Sequence, residues 1–379
     1  VTVSGAPQRA TVVFRILQDG NPVTLNASAP MITNFTGGPS FYVAYAVAQD
    51  GIATPADYNV NASAPNISLT NLWNGTQGTL SPTPDADGYY TATLGGGSGN
   101  VTTVDIPAGA TMVTVAMINS LVQTNVPGFP GGLTLIVPAT KQVAAGHTAR
   151  RAIAAKEKCN ACHATLGTDP TFHGGNRNDP TVCAFCHNPQ GPSATRSWPA
   201  RSSFFVHAIH GAAKRTVDFN WHGTAAGATV LVNRGFWEVK FPGILNKCET
   251  CHLPGMYDFS GSAYTPTLLG NLLYTYAATG TVTNDFVVSP WALAANPTLT
   301  FGARFDSATG TAAADTTLVI SPIATACFAC HDTNIAKAHM EGNGASIYQP
   351  RSTALTKTEQ CLVCHGPGKI AAIAAVHAK

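Results

Sequence analysis

Charge is scarce in this sequence. Charged residues make up 11% of 379 residues, where about a quarter is usual, and the formal net charge is +2. Bulk charge therefore offers no surface for nucleic acid or an anionic membrane. No apolar run approaches the ~18 residues that a bilayer requires, so no transmembrane segment is expected. The N-terminal VTVSGAPQRA lacks the basic and apolar regions of a secretory signal, which leads us to expect a mature chain whose signal has been removed. No cysteine lies near that end, which argues against a lipid anchor there. Long helices are not expected either, since 36 glycines and 25 prolines imply many turns. Cysteine is absent from the first 158 residues, and all ten fall between Cys159 and Cys364.

Residues 1–145 read as an all-β domain. ATVVFRIL, SFYVAYAVA, YYTATL and TMVTVAMI alternate or cluster β-branched and aromatic residues, and QDGNP, TGGPS and DADGY punctuate them as turns. Short strands at this spacing imply a sandwich, Greek-key barrel or split barrel. This part has three basic residues (Arg9, Arg15, Lys141) and six acidic ones, so it is mildly acidic. It also holds six Asn-x-Ser/Thr sequons, at Asn26, Asn34, Asn61, Asn66, Asn74 and Asn100. These read either as chance in a Thr- and Asn-rich surface or as glycosylation of an exposed extracellular domain. Composition changes around VPATKQVAAGHTARRAIAAKEKC, placing a boundary near residue 146, with Thr148 to Lys158 expected as a short basic helix. Residues 146–379 read as a second domain, mostly irregular with short helices. Its apolar residues show so little periodicity that an adequate protein core is not expected. Something else must fill its interior.

Every cysteine belongs to a Cys-x-x-Cys-His unit: Cys159/Cys162/His163, Cys183/Cys186/His187, Cys248/Cys251/His252, Cys327/Cys330/His331 and Cys361/Cys364/His365. A disulfide framework suits exported cysteines but leaves five adjacent histidines unexplained. A tetrahedral zinc site would take two cysteine pairs, and five units are odd in number. Covalent haem c needs both features, with thioethers from the two cysteines and the next histidine as proximal iron ligand. The reading is five covalently bound haems, which would also supply the missing interior. Closely spaced units, as in Lys158 to Pro189, would set neighbouring haems side by side. Up to ten propionates would move the charge from +2 towards about −8. Arg177, Lys214, Arg215, Lys247 and Lys369 are candidates to pair with some of them, a solvated surface being the plainer reading of each.

The proximal set leaves seven of twelve histidines. His173 sits in TFHGG between two units, and His207 and His210 form VHAIH. His339 follows His331 by eight residues, and His377 follows His365 by twelve. These five are assigned as distal ligands, without saying which closes which iron. His147 and His222 fit no local pattern and rank lower. Met256 and Met340 are the rival thioether ligands, and bis-histidine ligation implies lower potentials than His/Met. A multihaem enzyme of the nitrite or hydroxylamine type would need an open iron, often marked by lysine in place of the attachment histidine. All five units end in histidine, and enough spare histidines exist to close every site. Electron transfer is the leading reading. Haem attachment also needs an export route, which places the mature chain outside the cytoplasmic membrane.

The segments CNACHATLGTDPTFHGGNRNDPTVCAFCHNP, FFVHAIHG, FPGILNKCETCH, ATACFACHDTNIAKAHMEGNG and QCLVCHGPGKIAAIAAVH together resemble the OmcA/MtrC-type outer-membrane decahaem cytochromes. The resemblance spans most of residues 146–379, and the order of β domain then pentahaem domain is shared. It implies bis-histidine haems passing electrons from the cell to metal oxides, electrodes or flavins, at the cell surface or outside it rather than in the periplasm. The family's distal histidines would fall on His173, His207, His210, His339 and His377. The family carries the β-plus-pentahaem pair twice and this chain once. The two ends of its haem series then need partners, either other cytochromes or copies of the same chain. A head-to-tail contact that does not close into a ring grows an open filament.

Overall fold

The N-terminal strands are short and alternate in burial, because successive side chains on a strand point to opposite faces. β1 (Thr2–Ser4) pairs with β2 (Arg9–Phe14), and β2 turns Ala10, Val12 and Phe14 inward. Asp19 and Gly20, with φ of 52° and 83°, form the two-residue turn between β3 (Leu17–Gln18) and β4 (Asn21–Pro22). β5 (Phe35–Ala46), β6 (Asn66–Ser68), α1 (Leu69–Trp73), β7 (Gly78–Leu80), β8 (Tyr90–Leu94), β9 (Met112–Gln123), β10 (Leu133–Leu135) and β11 (Thr140–Val143) follow. One antiparallel sheet has the order β1-β2-β8-β7; the other runs β10-β9-β5-β6, with β11 also on β9. The sheets meet through Phe14 and Phe41, whose ring centroids lie 5.1 Å apart, with Tyr90 beside Phe14. The Tyr90 hydroxyl accepts a hydrogen bond from Leu25 N at 2.8 Å, so its polar end is satisfied within the core. The all-β expectation for this region holds.

One expected turn does not form. TGGPS lies inside β5, which pairs with β9 without interruption from Phe35 opposite Gln123 to Ala46 opposite Met112. Gly37 adopts φ of 78°, and a Cβ there would collide with the Ser120 carbonyl oxygen. Glycine thus permits close strand approach here. Pro39 is tolerated because β6 pairs only with Ser40 to Tyr42, leaving β5 with one neighbour at the proline.

The computed structural model describes residues 1–26, 28–61, 66–96, 104–219, 236–237, 239–282 and 288–378. Two units divide the chain: residues 1–46, 64–150 and 156–185, and residues 47–63, 151–155 and 186–379. The first includes α2 (Lys156–His163) and most of α3 (Pro180–Cys186). Helix therefore begins at Lys156 and runs through the first attachment unit, not from Thr148 as expected.

The second unit is helix-poor: α4 (Ser202–His210), α5 (Pro266–Gly270), α6 (Pro290–Ala295), α7 (Pro322–Phe328), α8 (Asn334–Gly342), α9 (Arg351–Ala354), α10 (Cys361–His365) and α11 (Ile373–His377). A three-stranded antiparallel sheet joins β12 (Thr275–Ala278), β13 (Leu318–Ile320) and β14 (Ile347–Pro350). Contrary to expectation, this unit has a protein core. Trp198, Phe204, Phe219 and Phe328 are fully buried with Ala277, Ile320 and Ile347. Trp198 meets Phe219 edge-on at 5.3 Å, and Trp291 meets Phe328 at 4.7 Å. These residues come from short, distant segments, so no local window carries a helical or strand period.

Candidate haem-attachment sites

A single helical turn explains the Cys-x-x-Cys-His spacing, since residues i, i+3 and i+4 share one face. The first unit lies on α2, Cys183 and Cys186 on α3, Cys327 on α7 and the fifth unit on α10. The third unit departs from this pattern. Cys248 to Thr250 form a one-turn helix, and Cys251 lies just past it as the C-terminal cap, with φ of −118°. Cys330 likewise falls beyond the end of α7. Turn hydrogen bonds keep the spacing at both places: Cys251 N donates to Cys248 O at 3.1 Å, and Cys330 N to Cys327 O at 3.2 Å. His252 N and His331 N each donate to the carbonyl of the first cysteine of their unit, at 2.9 Å. None of the ten cysteines is in a disulfide; Cys162 and Cys364 are exposed and the rest, Cys251 included, half-buried. Burial pushes the Cys327 thiol up to about 12 and the Cys361 thiol to about 11. Among the described residues no cluster of three or more His, Cys, Asp or Glu side chains is placed to hold a metal ion.

Three of the attachment-unit histidines each face a second histidine. His252 Nε2 lies 3.4 Å from His207 Nε2, with ring centroids 5.7 Å apart. His331 faces His377 and His365 faces His339, each with centroids 6.1 Å apart. Two imidazoles bound to one metal at ~2 Å each would hold their nitrogens about 4 Å apart, near the 3.4 Å between His207 and His252, so facing imidazoles of this kind could hold one metal between them. The last two are crossed relative to the sequence. His339 follows His331 in the chain yet meets His365, and His377 follows His365 yet meets His331.

Ring orientation is set by backbone carbonyls. His163 Nδ1 donates to Asp169 O, His187 Nδ1 to Ala200 O and His365 Nδ1 to Ala371 O, each at 2.9 Å. His210 and His377 bond the carbonyl four residues back, Val206 O at 2.8 Å and Ile373 O at 2.9 Å. Placing the proton on Nδ1 leaves the Nε2 lone pair for a metal. Burial, followed by the nearby His252, lowers the His207 pKa to about 4, so this imidazole stays neutral as a ligand must. Burial also lowers His331, with His377 contributing next.

The first unit and His173 are built on the β-rich unit. His173 opens a one-turn helix in the left-handed region (φ 49°), beside Gly174 and Gly175. The loop behind it is fastened by Asn178 Oδ1, which accepts from Ala139 N at 2.8 Å, and by an Arg177–Tyr42 hydroxyl bond of 2.7 Å. Lys141 pairs with Asp179. His187 stacks obliquely on Phe205 at 4.4 Å, and His210 meets Phe241 edge-on at 5.9 Å. His147 is half-buried and bonded to Ala145 O, while His222 lies outside the described residues. Met340 packs against the aromatic core, and Met256 lies against Gly261.

Two candidate propionate partners are otherwise engaged, Arg177 by the Tyr42 hydroxyl and Arg215 by a carboxylate. Arg215 forms a buried pair with Asp332 at 3.2 Å and donates to Ala329 O and Val217 O. Its guanidinium lies 5.7 Å from both the Phe204 and Phe219 rings. Lys214, Lys247 and Lys369 are exposed. The sequence reading missed Glu359. Its carboxylate accepts from Ser321 Oγ, Ile323 N and Ala324 N at 2.7–2.8 Å, tying the start of α7 to the residues just before Cys361. Gly211 was missed too: a Cβ there would lie 2.9 Å from Cys330 Sγ and 2.8 Å from His207 O. In a chain this poor in charge, a carboxylate two residues before an attachment cysteine was the available signal for Glu359.

Cysteine pairs spaced by about one turn, each backed by a histidine, with three of those histidines facing another, are the pattern of a multihaem c-type cytochrome. Residues 151–378 match the family described as outer membrane cytochrome MtrC/MtrF-like, domains II/IV, and the chain belongs to that family. Among solved structures, MtrC from Shewanella baltica OS185 is similar at 14% identity and a TM-score of 0.50, over 97% of this chain and 51% of that one. The outer membrane decaheme cytochrome OmcA aligns at 16% identity and a TM-score of 0.46, over 97% and 47%. The chain thus spans about half the length of each. No curated protein matches it. No helix among the described residues is long and apolar enough to cross a membrane.

Proposed function

We propose that this chain transfers electrons outside the cytoplasmic membrane through five covalently bound haem c groups. The ten cysteines form the thioethers, in the pairs Cys159/Cys162, Cys183/Cys186, Cys248/Cys251, Cys327/Cys330 and Cys361/Cys364. His163, His187, His252, His331 and His365 are the proximal ligands. His207, His377 and His339 close the irons of His252, His331 and His365, and His173 and His210 serve the first two units. The functional division lies near residue 146, between a β domain and the haem-bearing part. The facing of three attachment histidines by a second imidazole carries this reading.

Bound haem supplies one-electron chemistry at its iron, and haems in series pass the electron along. The chain's own part is positional. Backbone carbonyls hold the Nδ1 protons, burial keeps His207 neutral, and the Glu359 bonds tie the fourth and fifth units together. Cys162 and Cys364 are exposed, so the first and fifth units lie at the surface of their own units, where a partner can approach. The partners are other cytochromes, copies of this chain joined head to tail as a filament, and extracellular acceptors such as metal oxides, electrodes or flavins. The location is the cell surface or beyond it.

Spectroscopy of the purified protein, with and without carbon monoxide, tests this reading. All haems should be low-spin when reduced and slow to bind carbon monoxide, and particulate ferric oxide should reoxidise them. Rapid binding at one haem would show an open iron and contradict the reading.

A further inference from the structure

We infer that the β-rich unit is N-glycosylated, at Asn34, Asn66 and Asn74. Sequons are distributed unevenly along the chain. Residues 1–145 contain eleven asparagines, and six of them begin a sequon; residues 146–379 contain twelve, and none does except Asn296, where the next residue is proline. A Thr-rich composition alone does not produce that contrast, because residues 146–379 also hold many serines and threonines.

The structure then separates the sequons. Asn34, Asn66 and Asn74 are exposed, and none of their side chains forms a hydrogen bond among the described residues. Asn34 lies in the turn before β5, with φ of 67°. Asn74 caps the C-terminus of α1. Asn66 is on β6, which among the described residues ends its sheet, with β5 as its neighbour. The other described sequons are engaged. Asn61 is half-buried, donating to Asp306 Oδ1 at 2.8 Å and accepting from Ser307 N at 2.8 Å. Asn26 uses its amide on Pro30 O at 2.7 Å and Thr33 Oγ1 at 3.2 Å. Asn100 lies outside the described residues.

A glycan suits this surface. Charge is scarce in residues 1–145, while Val13, Leu17, Phe129 and Ile136 are exposed there. Hydrophilic chains would supply solubility that charged side chains do not. At Asn66 a glycan would also block strand addition to the β6 edge. The donor class is an oligosaccharide on a polyisoprenyl pyrophosphate. Asparagine Nδ2 bonds to the sugar C1 as the C1–O bond to pyrophosphate breaks. The lipid pyrophosphate departs with that electron pair, and the amide loses one proton to a base. The inference rests on the exported location proposed above.

Peptide mass mapping tests it on protein purified from the cells that naturally make it, with haem content measured on the same sample. Peptides bearing Asn34, Asn66 and Asn74 should each carry a glycan mass that chemical deglycosylation removes, and the Asn61 peptide should be bare. Asn34→Gln, Asn66→Gln and Asn74→Gln should each remove one glycan, and Asn61→Gln none. Bare peptides at any of the three sites, or a glycan at Asn61, would overturn the inference. A glycosylated protein without haem would leave it standing and refute the electron-transfer reading instead.

Discussion

The crossed pairing of His377 with His331 and His339 with His365 gives a prediction that sequence proximity would reverse. The perturbation is His377→Ala in a background lacking the fifth attachment site (Cys361→Ala, Cys364→Ala). That background should hold four haems, with His365 and His339 left without a metal. If His377 closes the iron of the fourth unit, its removal converts one haem in four, about a quarter of the low-spin signal, to a high-spin form. If His377 instead serves its own neighbour His365, no remaining haem loses a ligand and no high-spin signal appears. The fold should survive the substitution, since α11 (Ile373–His377) contains no buried residue and the ring mainly bonds Ile373 O. Truncating such a side chain costs on the order of 1 kcal/mol or less. Electron paramagnetic resonance of the oxidised variants supplies the count. An unchanged spectrum would refute the crossed assignment, and His339→Ala in the same background should produce no high-spin haem.

Asp332→Ala should destabilise the second unit by about 3–5 kcal/mol, because it leaves Arg215 charged and buried and strips acceptors from Thr216 and Val217. Denaturant unfolding should show the double variant Arg215→Met/Asp332→Leu costing less than the sum of its parts. Burial raises the Glu359 pKa, so the native state binds its proton more tightly than the unfolded chain does. Stability attributable to this group should be fully present below the ordinary carboxylate range, about 4.3, and decline as pH rises through the raised native value. Glu359→Gln should abolish that decline in unfolding free energy measured against pH, and an unchanged pH slope would refute the assignment. Gly37→Ala should destabilise the β-rich unit by about 1–2 kcal/mol or more, from the left-handed φ and the collision with Ser120 O. Gly38→Ala, with nothing near its Cβ position, is the control and should change the thermal midpoint little.

Short-range chemistry was legible in the sequence and long-range packing was not. The Cys-x-x-Cys-His units could be read because their geometry is complete within about one turn, even where Cys251 and Cys330 sit past the end of their helices. The strands around Phe14, Phe41 and Tyr90 could be read because alternation is a property of consecutive residues. TGGPS misled because Gly and Pro signal turns on average, whereas here they permit close strand approach and a one-sided edge. The aromatic core of the second unit was invisible, since Trp198, Phe219, Trp291 and Phe328 come from separate loops and helices. The histidine pairs were hidden for a related reason: His207 lies 45 residues from His252. Likewise, Arg215 resembled a solvated cation until Asp332 appeared beside it.

The central claim is that every attachment unit carries its haem. Mass spectrometry of the purified native protein tests it most directly, with peptides assigned to each cysteine pair. Five haem masses are expected on the polypeptide, one on each pair from Cys159/Cys162 to Cys361/Cys364. A chain with unmodified cysteines, or with those cysteines joined as disulfides, would contradict it.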